Sequence, residues 1–333
     1  KLPEVGGFAG GGGQGIYFSS AFIANDAQND RFVYSWISVN RFFGNDYFKR
    51  YNTSSAGVLY ANIARRLQWV IGTFDERGIF YDPPPTFFRN NFRRIFLSKE
   101  TGVLGQLSYP LSRFKRVQVS GNLRYSSLDE WDYYWGSGSR STPFDAPNDS
   151  INFERICLCL GTHFSVIADN SFWLETGPIS GMRSNLTFGF GADFTSRRIE
   201  NYTLSVDLRR YFRLGLRSTY AVQAFGYFSN GPIPQRISLG GSTDGPRLYP
   251  LQAFYTDRTW LSKQEIRFHV ADIAGIQGPT LSIVVPNIQG ALFFDIGQFS
   301  LKGNPMGIVW GSYGLSFRIP LFYGLNARID TGR

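Results

Sequence analysis

Apolar and polar residues alternate singly along this chain, in stretches of about 8 to 14 residues, and a helical period is nowhere sustained. Tyr202, Leu204, Val206 and Leu208 alternate with Thr203, Ser205, Asp207 and Arg209. The same rhythm sets Val117, Val119, Leu123 and Tyr125 against Arg116, Gln118, Asn122 and Arg124. It sets Ile156, Leu158, Leu160, Phe164 and Val166 against Arg155, Cys157, Cys159 and His163, and it returns at Leu325, Ala327 and Ile329 against Asn326, Arg328 and Asp330. Successive side chains of a strand point to opposite faces, so each stretch predicts a strand with one greasy and one wet face.

Alternation also describes a soluble sandwich. Aromatic residues at the segment ends separate the two: Tyr17 and Phe18, Phe42 and Phe43, Tyr133 to Trp135, Tyr211 and Phe212, and Phe322 and Tyr323. Membrane interfaces select such girdles. The pattern predicts an all-β fold, a transmembrane antiparallel β-barrel. Strands are predicted near 15–25, 31–42, 54–65, 67–80, 95–109, 115–127, 152–166, 181–194, 201–213, 215–229, 259–271, 287–298, 309–319 and 322–331, with a further strand open within 130–150 or before residue 15. Bacterial single-chain barrels have even strand numbers, which leaves 14 or 16. Long connectors fall near 82–94, 128–150, 230–258 and 272–286. Residues 1–14, rich in glycine and without a Gly-Lys-Ser/Thr phosphate cradle, are expected as a flexible lead-in, and 15–333 as one barrel domain.

Composition narrows the picture. Hydrophobic residues make up 43% and aromatics 17%, yet mean hydropathy is only -0.18, so the apolar residues are finely interleaved with polar ones. No run reaches the roughly 18 to 20 apolar residues of a membrane helix. The net charge of +9 fits an arginine-lined lumen better than a nucleic-acid surface, because the arginines are scattered singly along alternating segments and no nucleic-acid module is present. Cys157 and Cys159 are expected as two thiols on one strand face, poorly placed to bridge each other. No Cys, His or Asp cluster has metal-ligand spacing, and no cofactor is predicted. The chain starts at Lys1 without a signal peptide and is expected to be a mature or partial product.

The connector Gly231 to Pro250 reads GPIPQRISLGGSTDGPRLYP. Leu239-Gly240-Gly241 followed by Arg247-Leu248-Tyr249-Pro250 resembles the sixth extracellular loop of the superfamily containing BamA, TamA and the two-partner secretion pores, where L-G-G leads into V-R-G-F/Y. Pro246 stands for the valine and Leu248 for the glycine, which predicts a different backbone at the loop tip, because leucine takes a positive φ only at a cost. Further matches follow in order: Glu265-Ile266-Arg267-Phe268 for E-x-R-F, Phe293 to Gly297 for F-x-D-x-G, and Gly314 to Arg318 for G-x-G-x-R with Ser316 for the second glycine. Asp169-Asn170 with Gly177 to Gly181 resembles the D-x-R…P-x-x-G turn, and Leu107 to Arg116 resembles the variant barrels that follow TolB-like propellers. The family's aromatic-ended last strand is not matched at Thr331-Gly332-Arg333.

The resemblance favours 16 strands and implies that loop 230–258 enters the lumen, where Arg247, with Tyr249 beside it, pairs with Asp295 or next with Glu265. Alternation independently puts Glu265, Arg267, Asp295 and Arg318 on inward faces. The implied function is insertion or translocation of polypeptides at a bacterial outer membrane, with outer-membrane lipids, client polypeptides and periplasmic domains or subunits as partners. A non-catalytic anchor or scaffold barrel is the alternative, and a passive porin is disfavoured by the long loop. Catalysis is not expected: His163 and His269 are the two histidines, both on inward faces and without serine and acid partners at a diagnostic spacing.

Overall fold

The computed structural model describes residues 4–12, 15–26, 28, 30–42, 53–81, 92–134, 151–174, 177–239, 245–248, 254–277, 282–301, 304–320 and 326–333. Its elements are strands throughout: β1 (Glu4–Gly12), β2 (Gly15–Asn25), β3 (Arg31–Phe42), β4 (Thr53–Asn62), β5 (Gln68–Tyr81), β6 (Phe92–Pro110), β7 (Lys115–Tyr134), β8 (Ile151–Asp169) and β9 (Phe172–Leu174). Then come β10 (Gly177–Asp193), β11 (Arg198–Arg213), β12 (Thr219–Asn230), β13 (Ile237–Leu239), β14 (Phe254–Thr256), β15 (Arg258–Gln277), β16 (Ser282–Leu301), β17 (Asn304–Pro320) and β18 (Asn326–Gly332). Among the described residues no helix is long and apolar enough to cross a membrane.

Fifteen strands pair antiparallel with their neighbours in chain order, from β1 through β8, then β10, β11, β12 and β15 to β18. Short β9 folds back on β10, and β13 pairs with β14 as a separate hairpin inside the segment joining β12 to β15. All fourteen strands expected from the alternation are present. The fifteenth is β1, in the place before residue 15 that stands open for a further strand, so 4–12 is strand instead of lead-in and the described barrel strands number fifteen instead of the even 14 or 16 expected. Glu4–Gly12 pairs along its length with β2, because backbone hydrogen bonds do not need side chains. Residues 135–150 lie outside the described residues.

The two faces sort as the alternation predicts. On β11, Tyr202, Leu204 and Leu208 are exposed while Asn201 and Thr203 are buried; on β16, Leu292 and Phe294 are exposed while Phe293 and Asp295 are buried. Buried polar and exposed apolar faces are the inverse of a soluble protein. They describe a membrane barrel with an apolar outer wall suited to lipid and a polar inner wall that lines a lumen. Trp36 crowds Gly57 on the neighbouring strand so closely that a Cβ would not fit.

An odd number of meandering strands makes β1 and β18 run in the same direction. β18 pairs with β17 alone and β1 with β2 alone among the described residues, so the sheet has a seam and the strand at the C-terminal end is not hydrogen-bonded to 15–25. A second correction concerns Cys157 and Cys159, which are joined by a disulfide. They do share the inward face, but their Cα atoms are 5.6 Å apart, closer than two regular strand steps of about 6.6 Å and within the range a disulfide spans.

The wall assignment is testable on β11. Leu204→Arg faces lipid and is expected to destabilise the folded barrel by about 2 to 4 kcal/mol, whereas Ser205→Arg faces the lumen and is expected to cost far less. Urea titrations of folding into lipid vesicles compare the two; equal costs would refute the assignment.

Candidate functional site in the lumen

The segment joining β12 to β15 begins at Gly231, whose φ of 136° no other residue adopts comfortably and whose position against the Glu200 carbonyl leaves no room for a Cβ. From there the chain is stitched to the inner wall. Ile233 N donates to Glu200 O at 3.1 Å, Asn201 Nδ2 donates to Ile233 O at 3.0 Å, and Tyr227 Oη donates to Gln235 O at 3.0 Å. Leu239 then packs on Phe299, with Phe225, Ile237 and Trp310 around them, so an apolar cluster inside the lumen holds the hairpin of β13 and β14.

Beyond the hairpin the segment delivers Arg247, only 3% exposed, to the wall built by β15, β16 and β17. Its backbone N–H donates to Asp295 Oδ2 at 2.9 Å and its Nε lies 3.3 Å from the same oxygen. Nη2 reaches Glu265 Oε2 at 2.8 Å, and the guanidinium lies over the Phe293 ring at 4.5 Å. Glu265 Oε1 accepts from Arg267 Nε at 2.8 Å and from Arg318 Nη2 at 2.6 Å. Arg267 Nη1 in turn donates to Pro178 O at 3.0 Å, and its guanidinium faces the Tyr211 ring. One carboxylate thus holds three arginines from a loop and two strands.

Alternation explains the convergence. Glu265 and Phe293 are register partners, as are Lys263 and Asp295, Asp295 and Ser312, and Gln289 and Arg318. Each register row puts both its members on the same face. The structure brings together Arg247, Glu265, Asp295, Arg267, Arg318 and Phe293, six of the positions singled out in the sequence. Gly297 and Gly314 are strand positions on β16 and β17 that carry no side-chain chemistry, while Gly240, Gly241 and Tyr249 lie outside the described residues. Sequence reasoning missed Lys263, whose inward parity with Glu265 and Arg267 was the available signal, and Arg328 and Asp330 on β18, paired at 3.0 Å beside the cluster.

Leu248 refines one expectation. It occupies the left-handed region at φ 69, so leucine adopts the backbone that glycine would favour instead of changing the loop tip, and its side chain is partly exposed. The expected cost is about 1 to 2 kcal/mol of local strain next to Arg247.

A second cluster gathers ligating side chains from separate parts of the chain. Cys157, Cys159, Asp193 and Glu200, all buried, place one ligand atom each within 4.8 Å of one another. The residues come from three strands, so no spacing in the chain announces them.

No protein-family profile and no curated protein sequence matches this chain. Solved structures do. BamA from Haemophilus ducreyi lacking POTRA domains 1-3 superposes with a TM-score of 0.63 at 11% identity, over 99% of this chain and 66% of that one. CdiB from Acinetobacter baumannii gives 0.55 at 13% identity, and CdiB from Escherichia coli 0.57 at 10%, each over 99% of this chain and 56% and 59% of theirs. This chain has the BamA and CdiB fold. It spans two thirds or less of the length of each of these proteins. The loop that reaches the inner wall of this BamA-like barrel is the one between its eleventh and twelfth barrel strands, β12 and β15.

With Arg247, Glu265 and Asp295 each no more than 4% exposed, the site is closed to bulk solvent. Arg247→Ala is expected to cost about 3 to 5 kcal/mol, since Asp295 is left buried with its loop partner gone, and to lower the unfolding midpoint without changing the β-content seen by circular dichroism. Leu248→Gly is expected to change the midpoint in the opposite direction, by about 1 kcal/mol or less once the extra chain entropy of glycine is subtracted. A loss of stability in Leu248→Gly would show that the leucine side chain packs usefully where it is.

Proposed function

We propose that this barrel acts in the insertion or translocation of polypeptides at a bacterial-type outer membrane. One observation carries the reading: a long loop crosses into the lumen and fastens to the wall through Arg247, in a fold shared with BamA and CdiB. A plugged lumen argues against a passive diffusion pore. A client strand added to an edge of the sheet would gain backbone hydrogen bonds that lipid cannot supply, which gives such a barrel a physical means of templating strands. The lock would hold the wall of β15 to β17 rigid while the seam changes. Its partners in this reading are outer-membrane lipids, client polypeptides and periplasmic domains or subunits, and no catalytic residue or cofactor is assigned.

The test is reconstitution of the barrel in phospholipid vesicles, followed by addition of a urea-denatured outer-membrane barrel whose folding is read by heat-modifiable gel mobility. The expected result is faster client folding than in empty vesicles, reduced several-fold by Arg247→Ala at unchanged β-content. No acceleration by the unaltered barrel would remove the insertion reading and leave an anchor or scaffold in its place.

A further inference from the structure

On the wall formed by β7, β8, β10 and β11, at the same end of the barrel as loop 231–257, four ligating side chains meet. Cys157 and Cys159 point inward from β8, Asp193 ends β10 opposite Cys159, and Glu200 lies near the start of β11. Each is between 3% and 4% exposed. A tetrahedral zinc site with sulfur at about 2.3 Å and oxygen at about 2.1 Å sets its ligand atoms about 3.4 to 3.8 Å apart. Cys159 Sγ and Glu200 Oε2 are 3.7 Å apart, and all four atoms fit within 4.8 Å, so closing on an ion takes shifts of about an ångström.

The surroundings fit a resident cation. Asp193 is already oriented: its Oδ1 accepts from Thr195 N at 2.7 Å and Ser196 N at 3.2 Å, and its Oδ2 from Ser196 Oγ at 2.7 Å. That fixes the carboxylate at the head of a four-residue turn, as neighbouring donors fix metal ligands elsewhere. Glu200 sits at the irregularity where the β10–β11 register shifts, and its carbonyl is held by the hydrogen bond from Ile233 N. Two carboxylates and two thiols packed out of water repel one another once ionised, and a divalent ion is the group that reconciles them.

We propose that the dithiol form of Cys157 and Cys159 binds one divalent cation of the zinc class together with Asp193 and Glu200. An external dithiol reductant supplies the two electrons and two protons that open the disulfide, itself becoming a disulfide. Binding then exchanges the two thiol protons for two metal–sulfur bonds, and the disulfide in the structure is the oxidised, metal-free form of the site. The sulfur pair selects a borderline or soft ion over calcium or magnesium.

The experiment uses the detergent-solubilised barrel reduced with a phosphine, which takes up the oxygen of one water as its protons go to the two sulfurs, with thiols then counted by a maleimide mass shift. Cobalt(II) is titrated in as the probe. The expected result is one equivalent bound, with a thiolate-to-metal charge-transfer band and tetrahedral d–d absorption that zinc displaces and a large excess of magnesium does not. The unreduced barrel and the reduced, iodoacetamide-blocked barrel should show no band. Glu200→Gln should weaken binding about tenfold or more, because a tetrahedral site would keep only three of its protein ligands. Absence of the band with two thiols counted, unchanged affinity in Glu200→Gln, or displacement by magnesium would each overturn the proposal. The chemically blocked barrel serves as control where Cys157→Ser or Cys159→Ser does not fold.

Discussion

In hydrocarbon there is no water to take up an unpaired backbone N–H or C=O, and each one left open costs several kcal/mol. That constraint orders this molecule more than any side-chain contact does. It explains strands of up to 20 residues paired along most of their length, and a glycine-rich β1 that pairs fully with β2 despite offering little to pack. It also makes the seam the least settled part of the fold. Two strands running the same way could meet only by a parallel ladder, unlike the antiparallel pattern used everywhere else in the sheet.

With the wall given by backbone pairing, the side chains are free to specialise by face. Lipid takes the outward Leu, Phe, Val and Ile without complementary packing, so those residues carry little positional information. The inward residues do carry it. Leu239 on Phe299 and Arg247 on Glu265 and Asp295 fasten the same loop at two levels, one by exclusion of water and one by charge. The disposition suits a loop that folds after the wall has formed, since its contacts all depend on strand register.

Much of this was legible in the sequence. Period-two alternation fixed the fourteen strands and the inward orientation of Glu265, Arg267, Asp295 and Arg318, because sheet geometry converts sequence parity directly into face. What parity cannot give is distance across strands. The meeting of Lys263 with Asp295, or of Cys157 and Cys159 with Asp193 and Glu200, depends on register, and register depends on turn lengths and bulges such as those between His269 and Ile276. Glycine in β1 misled for a related reason: the residue is read as a breaker from its backbone freedom, but a barrel edge supplies the pairing that removes that freedom. At Leu248 the positive φ that leucine takes only at a cost is adopted, because Arg247 is held by its own N–H and by its guanidinium, and the next residue must follow.

The two buried carboxylates that meet Arg247 divide the fastening between them. Glu265 holds Arg267 on its own strand and Arg318 on β17, reaching past β16, so it joins the wall to itself whether or not the loop is present. Asp295 receives both the backbone N–H and the guanidinium Nε of Arg247, so most of what it does depends on the loop. Arg247 Nη1 and Asp295 Oδ1 find no hydrogen-bond partner among the described residues, so the attachment at Asp295 rests on charge and one backbone bond instead of a saturated network. Around them the cations Arg247, Lys263, Arg267, Arg318 and Arg328 outnumber the carboxylates Glu265, Asp295 and Asp330. Departure of the loop would take from Glu265 one of its three arginines and from Asp295 the guanidinium and backbone N–H, so Asp295 is the attachment that depends most on the loop. The geometry therefore permits the loop to leave without dismantling the wall that received it.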